Sequence, residues 1–206
     1  TYSGPDTLKP GCYYLMGLNP GEDDSNSELK DWNFPPINWS AYANQCWRRH
    51  NDAHCQHMRT DVIAEPVRHQ QQVQNLAGVL NLNLYTIFSA NAIFVASRDA
   101  RVLPNIEGLW KACWPVHREF LSLVLPRYII CLGNGTMNSS YSFLRKEAGY
   151  PREEPDEKAP KKKYHPWKMF NATFDLGNGK IHACRVVGLP HPSRHFFGHL
   201  RDNWLL

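Results

Sequence analysis

The chain has 206 residues, of which 42% are apolar and seven are tryptophan, and its formal net charge is only +4. This length and apolar content fit a single domain over residues 1–206 with a core of its own. The charge is too small for general attraction to nucleic acid, so such binding would need local basic patches. No apolar run reaches the length of a membrane span and the N-terminus shows no signal pattern, so we expect a cytoplasmic protein that contacts no membrane.

The six cysteines include no Cys-x-x-Cys pair. Four of them lie in apolar runs, where a reduced thiol packs as a small hydrophobic group, and these are Cys12, Cys113, Cys131 and Cys184. This distribution predicts a protein of a reducing compartment.

The first predicted strand ends in a polar turn. Residues 12–18 form an apolar run typical of a buried strand, and the Asn-Pro-Gly at 19–21 cannot continue it. Asn19 is therefore expected at a strand's carboxyl end, where the loops of an open α/β sheet converge on a ligand crevice. Gly17 and Gly21 would let a flat ligand approach the backbone beside Asn19. An ordinary turn explains the same residues equally well.

An aromatic loop follows the first strand. Consecutive prolines at positions 35 and 36 exclude a helix between residues 31 and 39. The rings of Trp32 and Phe34 must therefore pack on something, either the edge of the core or a ligand.

Residues 40–57 fit a helix on which four metal-binding side chain types share one face, namely Cys46, His50, His54 and His57. Four such ligands could hold zinc, but one helix cannot readily surround a tetrahedral ion. We expect this face to meet solvent or DNA phosphates, and no metal.

The next segments alternate between helix and strand. Residues 66–80 are spaced for a helix, and the run at 84–91 predicts a strand that ends at Asn91. Residues 105–125 then predict a long amphipathic helix in which His117 packs inward. A core strand at 127–132 follows it.

A charged, proline-rich stretch at 149–168 predicts an exposed insertion loop. Its Lys161, Lys162 and Lys163 either meet phosphates or are simply solvated. Two strands follow, at 168–175 and 180–189, with a Gly-Asn-Gly turn between them. The alternation along the chain predicts an α/β fold with a mostly parallel central sheet.

The last predicted strand also ends in a polar turn, Pro-His-Pro-Ser-Arg at 190–194. Together with the Gly-Leu-Asn-Pro-Gly at 17–21, this turn resembles the two signature motifs of the uracil-DNA glycosylase superfamily. The first motif is similar to those of the mismatch-specific and single-strand-selective branches, and the second to that of the single-strand-selective branch. The resemblance implies a three-layer α/β/α sandwich, and it implies an enzyme, a DNA glycosylase.

The resemblance also implies roles for residues around a base pocket. It makes Asn19 and His191 catalytic, and it matches Asn91 to an asparagine that reads the Watson–Crick edge of the base. Trp32, with Phe34 as second candidate, matches the aromatic residue that stacks on the extruded base. The remaining pocket residues would be Gly17, Leu18, Pro20 and Gly21.

Cleavage of an N-glycosidic bond requires stabilisation of the departing base and of an oxocarbenium-like sugar. An imidazole at His191 aimed at O2 of a pyrimidine would stabilise the base anion. The Asn19 amide has no base strength, so it can hold a water but cannot deprotonate it. Neither motif carries a lysine, so we expect a monofunctional enzyme that leaves an abasic site. We expect no cofactor, because the iron–sulfur branches need a cysteine quartet that this chain does not show.

DNA contacts are implied for the residues that follow His191. Ser193 and Arg194 would hold the phosphates beside the flipped nucleotide. His195, Phe196 and Phe197 come next, and one phenylalanine would enter the base stack as a wedge. The alternative is a C-terminal helix at 195–204 that packs these rings inward. We expect single- or double-stranded DNA as the partner of a monomeric enzyme in the bacterial cytoplasm or nucleoid.

The motif does not determine which base is the substrate, because this chain differs from the strictest uracil-specific branch at two positions. That branch has aspartate in place of Asn19 and, two positions on, a tyrosine that crowds C5, where this chain has Gly21. A 5-substituted pyrimidine could therefore fit, which is compatible with repair of uracil or 5-hydroxymethyluracil. An anti-phage defence enzyme that excises glucosylated hydroxymethylcytosine is an alternative, and a non-catalytic DNA-binding module of the same fold is another.

Overall fold

The computed structural model describes residues 1–19, 36–44, 68–95, 97, 103–153 and 167–194. Its elements in chain order are a 3-10 turn Pro5–Thr7, β1 Tyr13–Gly17, α1 Ala41–Asn44, α2 Arg68–Val79, β2 Phe88–Asn91, α3 Ile106–Val124, β3 Tyr128–Leu132, α4 Ser140–Glu147, β4 Lys168–Gly177 and β5 Lys180–Leu189.

The five strands form one mixed sheet in the order β2-β1-β3-β5-β4. β2, β1, β3 and β5 run parallel to one another, and β4 pairs antiparallel with β5. The β4–β5 hairpin turns through Gly177 and Gly179, which both adopt positive φ, a conformation that glycine enters without steric cost. The carboxyl ends of the four parallel strands therefore lie at one edge of the sheet, which we call the carboxyl edge.

Apolar side chains alternate between the two faces of the sheet, and each face has its own core cluster. In β1, Tyr14 and Met16 join one cluster, while Leu15 joins the other. Residues of α3 and α4 pack into the first cluster, and residues of α1 and α2 pack into the second. A sheet that is buried on both faces needs such cover on each side, and the arrangement is compatible with a three-layer sandwich.

Most predicted elements are confirmed, with differences of one to three residues at their ends. The long helix begins after Asn105, whose side chain accepts a hydrogen bond from the Gly108 amide, and ends at Val124, with Leu125 as its C-cap. The strand predicted at 84–91 is too long, since only Phe88–Asn91 is a strand. Asn83 explains the difference, because its side chain and carbonyl accept bonds from the amides of residues 85 and 86 and form a turn there.

Two further features differ from expectation. Helix α4 was not predicted, although Ser139 caps it through a reciprocal bond pair with Ser142. Cys12 is exposed, whereas the other three cysteines expected in apolar runs are buried. Cys12 lies just before β1, and its backbone carbonyl accepts a hydrogen bond from the Tyr128 amide.

Candidate functional site

Three residues predicted for the base pocket follow or end parallel strands at the carboxyl edge. Asn91 is the last residue of β2 and lies opposite Gly17 of β1. Asn19 comes two residues after β1, and His191 comes two residues after β5. Because β1 and β5 are both neighbours of β3, their ends lie about 10 Å apart at the usual strand spacing. That separation suits a ligand the size of a nucleotide.

The side chain of Asn91 is buried and held in place. It is 6% exposed and lies against Gly17, where a Cβ atom would collide with the Asn91 Oδ1. The amide also makes a hydrogen bond with the phenol of Tyr2. Tyr2 is itself anchored, because its backbone amide donates to the Ser89 carbonyl at 2.8 Å. The amide is therefore oriented before any ligand arrives, and glycine at position 17 makes its position possible.

The backbone after β2 is tied to the backbone after β1. The amides of Ala92 and Ile93 donate to the carbonyls of Gly17 and Leu18, at 3.0 and 2.8 Å. The side chain of Asn19 adds a third link, because its Nδ2 donates to the Ser97 carbonyl at 3.3 Å. These bonds join the segments that follow β1 and β2, next to the two asparagines.

His117 secures the same region from within the core. Its Nε2 donates to the Ala92 carbonyl at 2.9 Å, so its Nδ1 accepts from the Tyr14 hydroxyl at 2.8 Å. The ring is completely buried among aromatic side chains. His117 is thus packed inside the protein, as expected from the sequence, and it positions the segment that follows Asn91.

Burial of His117 predicts a loss of stability in mild acid. Burial lowers the pKa of His117 to about 4, below its ordinary value near 6.5. Between these pH values His117 binds a proton in the unfolded chain but not in the folded protein, so stability falls as pH drops from 6.5 towards 4. Between pH 7 and pH 5 we expect His117 to lower the free energy of unfolding by about 2 kcal/mol. Urea unfolding at both pH values measures this.

The matched variant is His117→Gln, which keeps a hydrogen-bonding side chain and cannot titrate. It should be less stable at pH 7 but lose less stability on acidification than the wild type. Equal losses in the two proteins would show that His117 is protonated in the folded state at pH 5.

His191 lies in a tight turn that orients its imidazole. The hydroxyl of Ser193 is 2.6 Å from His191 Nδ1, and the Ser193 amide donates to the same nitrogen at 3.3 Å. An amide can only donate, so Nδ1 is an acceptor and the proton of the neutral ring is on Nε2. Ser193, predicted to hold a phosphate, contacts His191 in this structure, while Arg194 is exposed beside it.

A second imidazole, His69, lies against His191 and was missed in the sequence. The two ring centroids are 5.2 Å apart in an edge-to-face arrangement. Burial, together with the nearby His191, lowers the pKa of His69 to about 3, so His69 is neutral at pH 7. The sequence did contain a signal for His69. A helix that connects two parallel strands begins at the carboxyl edge, and His69 is in the first turn of α2.

Several predicted site residues lie outside the described residues. They are Pro20, Gly21, Trp32, Phe34, Lys161, Lys162, Lys163, His195, Phe196 and Phe197, together with the helix face of Cys46, His50, His54 and His57. Within the described part of the chain, no group of three or more His, Cys, Asp or Glu side chains is placed to hold a metal ion. No described helix is long and apolar enough to cross a membrane.

Comparison with family models and with curated proteins found no match to this chain. A function therefore has to be inferred from the chemistry of the carboxyl edge.

Proposed function

We propose that this chain is a monofunctional DNA glycosylase. It would take a flipped-out uracil or 5-substituted pyrimidine into the carboxyl edge and hydrolyse its N-glycosidic bond, leaving an abasic site. This proposal rests on one observation. Asn19, Asn91 and His191 come from distant parts of the chain and all lie at the carboxyl edge of the sheet. We also propose that the sheet and its helices form a three-layer sandwich of the uracil-DNA glycosylase type.

His191 would stabilise the leaving base. The bonds from Ser193 occupy Nδ1 and leave the proton of the neutral ring on Nε2. An Nε2–H donor aimed at O2 of a pyrimidine stabilises the negative charge that develops as the bond to the sugar breaks. A donor that is already oriented requires no reorganisation during the reaction, which is why such donors have large effects on rate.

Asn19 would hold the attacking water. With its Nδ2 on the Ser97 carbonyl, Oδ1 is the end of the amide that accepts a hydrogen bond from water. An amide cannot remove a proton, so the chemistry it supports is dissociative. The C–N bond breaks first, and the water adds to the oxocarbenium-like sugar afterwards.

Asn91 would read the base. An amide offers both a donor and an acceptor, which match the N3 and O4 or N4 groups of a pyrimidine. Its contacts with Tyr2 and Gly17 support this role, because a buried amide in a fixed orientation discriminates between bases better than a mobile one.

A base-release assay tests the proposal. Oligonucleotides that carry uracil, 5-hydroxymethyluracil, hypoxanthine, 5-hydroxymethylcytosine or its glucosylated form are treated with excess enzyme, both as single strands and as duplexes. We expect release of at least one pyrimidine, with strand cleavage only after alkali because no lyase step occurs. The enzyme is produced in a host that lacks its own uracil glycosylase.

The panel also separates the alternatives. Release of uracil or 5-hydroxymethyluracil indicates repair, and release confined to the glucosylated base indicates defence against phage. Tight DNA binding without release of any base would overturn the proposal in favour of a non-catalytic module.

A further inference from the structure

We propose that Tyr2, Tyr42 and His69 form a ring column that holds Asn91 and His191 at a fixed separation, with His69 as a positioning residue for His191. The inference rests on the proposed function for the roles of the two end residues. The column itself is described by three ring contacts and one hydrogen bond, so it has a test that needs no substrate.

The column links Asn91, at the end of β2, with His191, which follows β5. At one end the phenol of Tyr2 makes a hydrogen bond with the Asn91 amide. Tyr2 stacks on Tyr42 with centroids 5.4 Å apart, and Tyr42 stacks on His69 at 6.4 Å. At the other end His69 meets His191 edge to face at 5.2 Å. Each ring is in contact with the next, so no link in the series depends on solvent.

Hydrogen bonds to the backbone of Tyr2 and Tyr42 hold the middle of the column in place. The amide of Ala41 donates to the Tyr2 carbonyl at 2.8 Å, which ties α1 to the N-terminal segment. The Tyr42 carbonyl accepts from the side chains of Gln70 and Gln74, at 3.1 and 2.7 Å. The N-terminal segment, α1 and α2 are therefore fastened to one another at the rings, and movement of one ring would disturb all three.

The charge state of His69 is compatible with a positioning role beside His191. The His69 ring is partly buried. Its neutral state, maintained by burial, places no positive charge beside His191 and so does not oppose charge on that ring. A neutral ring at this place contacts His191 without opposing charge on it, and a phenylalanine ring would do the same.

The first test is spectroscopic and uses the free protein. Long-range proton–nitrogen spectra report the tautomer and order of His191, and the side-chain amide resonances report Asn91. In His69→Ala we expect the His191 signals to move towards the average of two tautomers and the Asn91 amide signals to shift as well. His69→Phe retains a ring and should leave the Asn91 signals close to those of the wild type. Unchanged His191 and Asn91 signals in His69→Ala would overturn the inference, whatever the activity of the wild type.

The second test uses kinetics on the substrate found with the oligonucleotide panel. Displacement of a catalytic group by about 1 Å can cost up to about 100-fold in rate, so we expect His69→Ala and Tyr42→Leu each to slow single-turnover base release about tenfold. DNA affinity should change less than twofold, and His69→Phe should stay within about threefold of the wild-type rate.

The variant that combines His69→Ala with Tyr42→Leu distinguishes one column from two separate packing defects. If both residues act through the same column, the double variant should be no slower than the slower single variant. Multiplication of the two effects, to about 100-fold, would overturn the inference. Cooperative urea unfolding of every variant confirms that the fold is retained. A wild type that releases no base refutes the proposed function, and the spectra still decide on the column.

Discussion

His191→Ala is expected to slow base release by about 100-fold to 1,000-fold, because it removes the donor that we propose for the leaving base. The imidazole contacts Ser193 and His69 and is exposed, so its removal leaves no cavity in the core. Single-turnover kinetics with excess enzyme measure the effect on the chemical step alone. Binding of the same oligonucleotide should weaken by no more than a few-fold.

The matched control is His182→Ala. His182 is also on β5, but its Nε2 is bound to the Pro126 carbonyl, near the opposite end of the strand from His191. This variant should release base at close to the wild-type rate. Asn19→Ala should behave like His191→Ala, because the water would lose its hydrogen-bond acceptor. Full activity in either Asn19→Ala or His191→Ala would show that the catalytic assignment is wrong.

Gly17→Ala is expected to slow base release by about 100-fold through displacement of the Asn91 amide. The new methyl group would collide with the Asn91 Oδ1, and Asn91 cannot move away without losing its bond to Tyr2. β1 has no freedom to shift, because it is paired on both sides, with β2 and with β3. Single-turnover kinetics measure the loss of rate. Release of normal bases from the same oligonucleotide measures the loss of discrimination between the substrate base and normal bases.

Gly78→Ala is the matched control for this substitution. Gly78 is an exposed residue of α2, and apart from its chain neighbours and its own helix backbone no atom of the described residues lies within 4 Å of the place where its Cβ would be. Alanine there should leave base release unchanged and stabilise the helix by about 0.5–1 kcal/mol. A Gly17→Ala protein that is as active as Gly78→Ala would mean that Asn91 does not read the base.

The local pattern of the chain was sufficient for most elements and for the positions of three candidate site residues at strand ends. Apolar runs that end abruptly marked β1 and β5, and the polar residues just beyond them were Asn19 and His191. The helix at 106–124 was recognisable from its apolar spacing and from the proline that follows it. The start of β2 was predicted too early, because the Asn83 side chain binds a backbone amide that a strand would use. The spacing of apolar residues gives no sign of this local hydrogen bond.

By itself, the sequence determined that Asn19, Asn91 and His191 each follow or end a strand, because strand ends are set by local hydrophobicity and turn chemistry. Only the tertiary structure decided that these strands are near neighbours, in the order β2-β1-β3-β5. It alone brought Tyr2 to Asn91 and His69 to His191. Such contacts join residues far apart in the chain, and they depend on how the two faces of the sheet are packed, which no short stretch of sequence specifies.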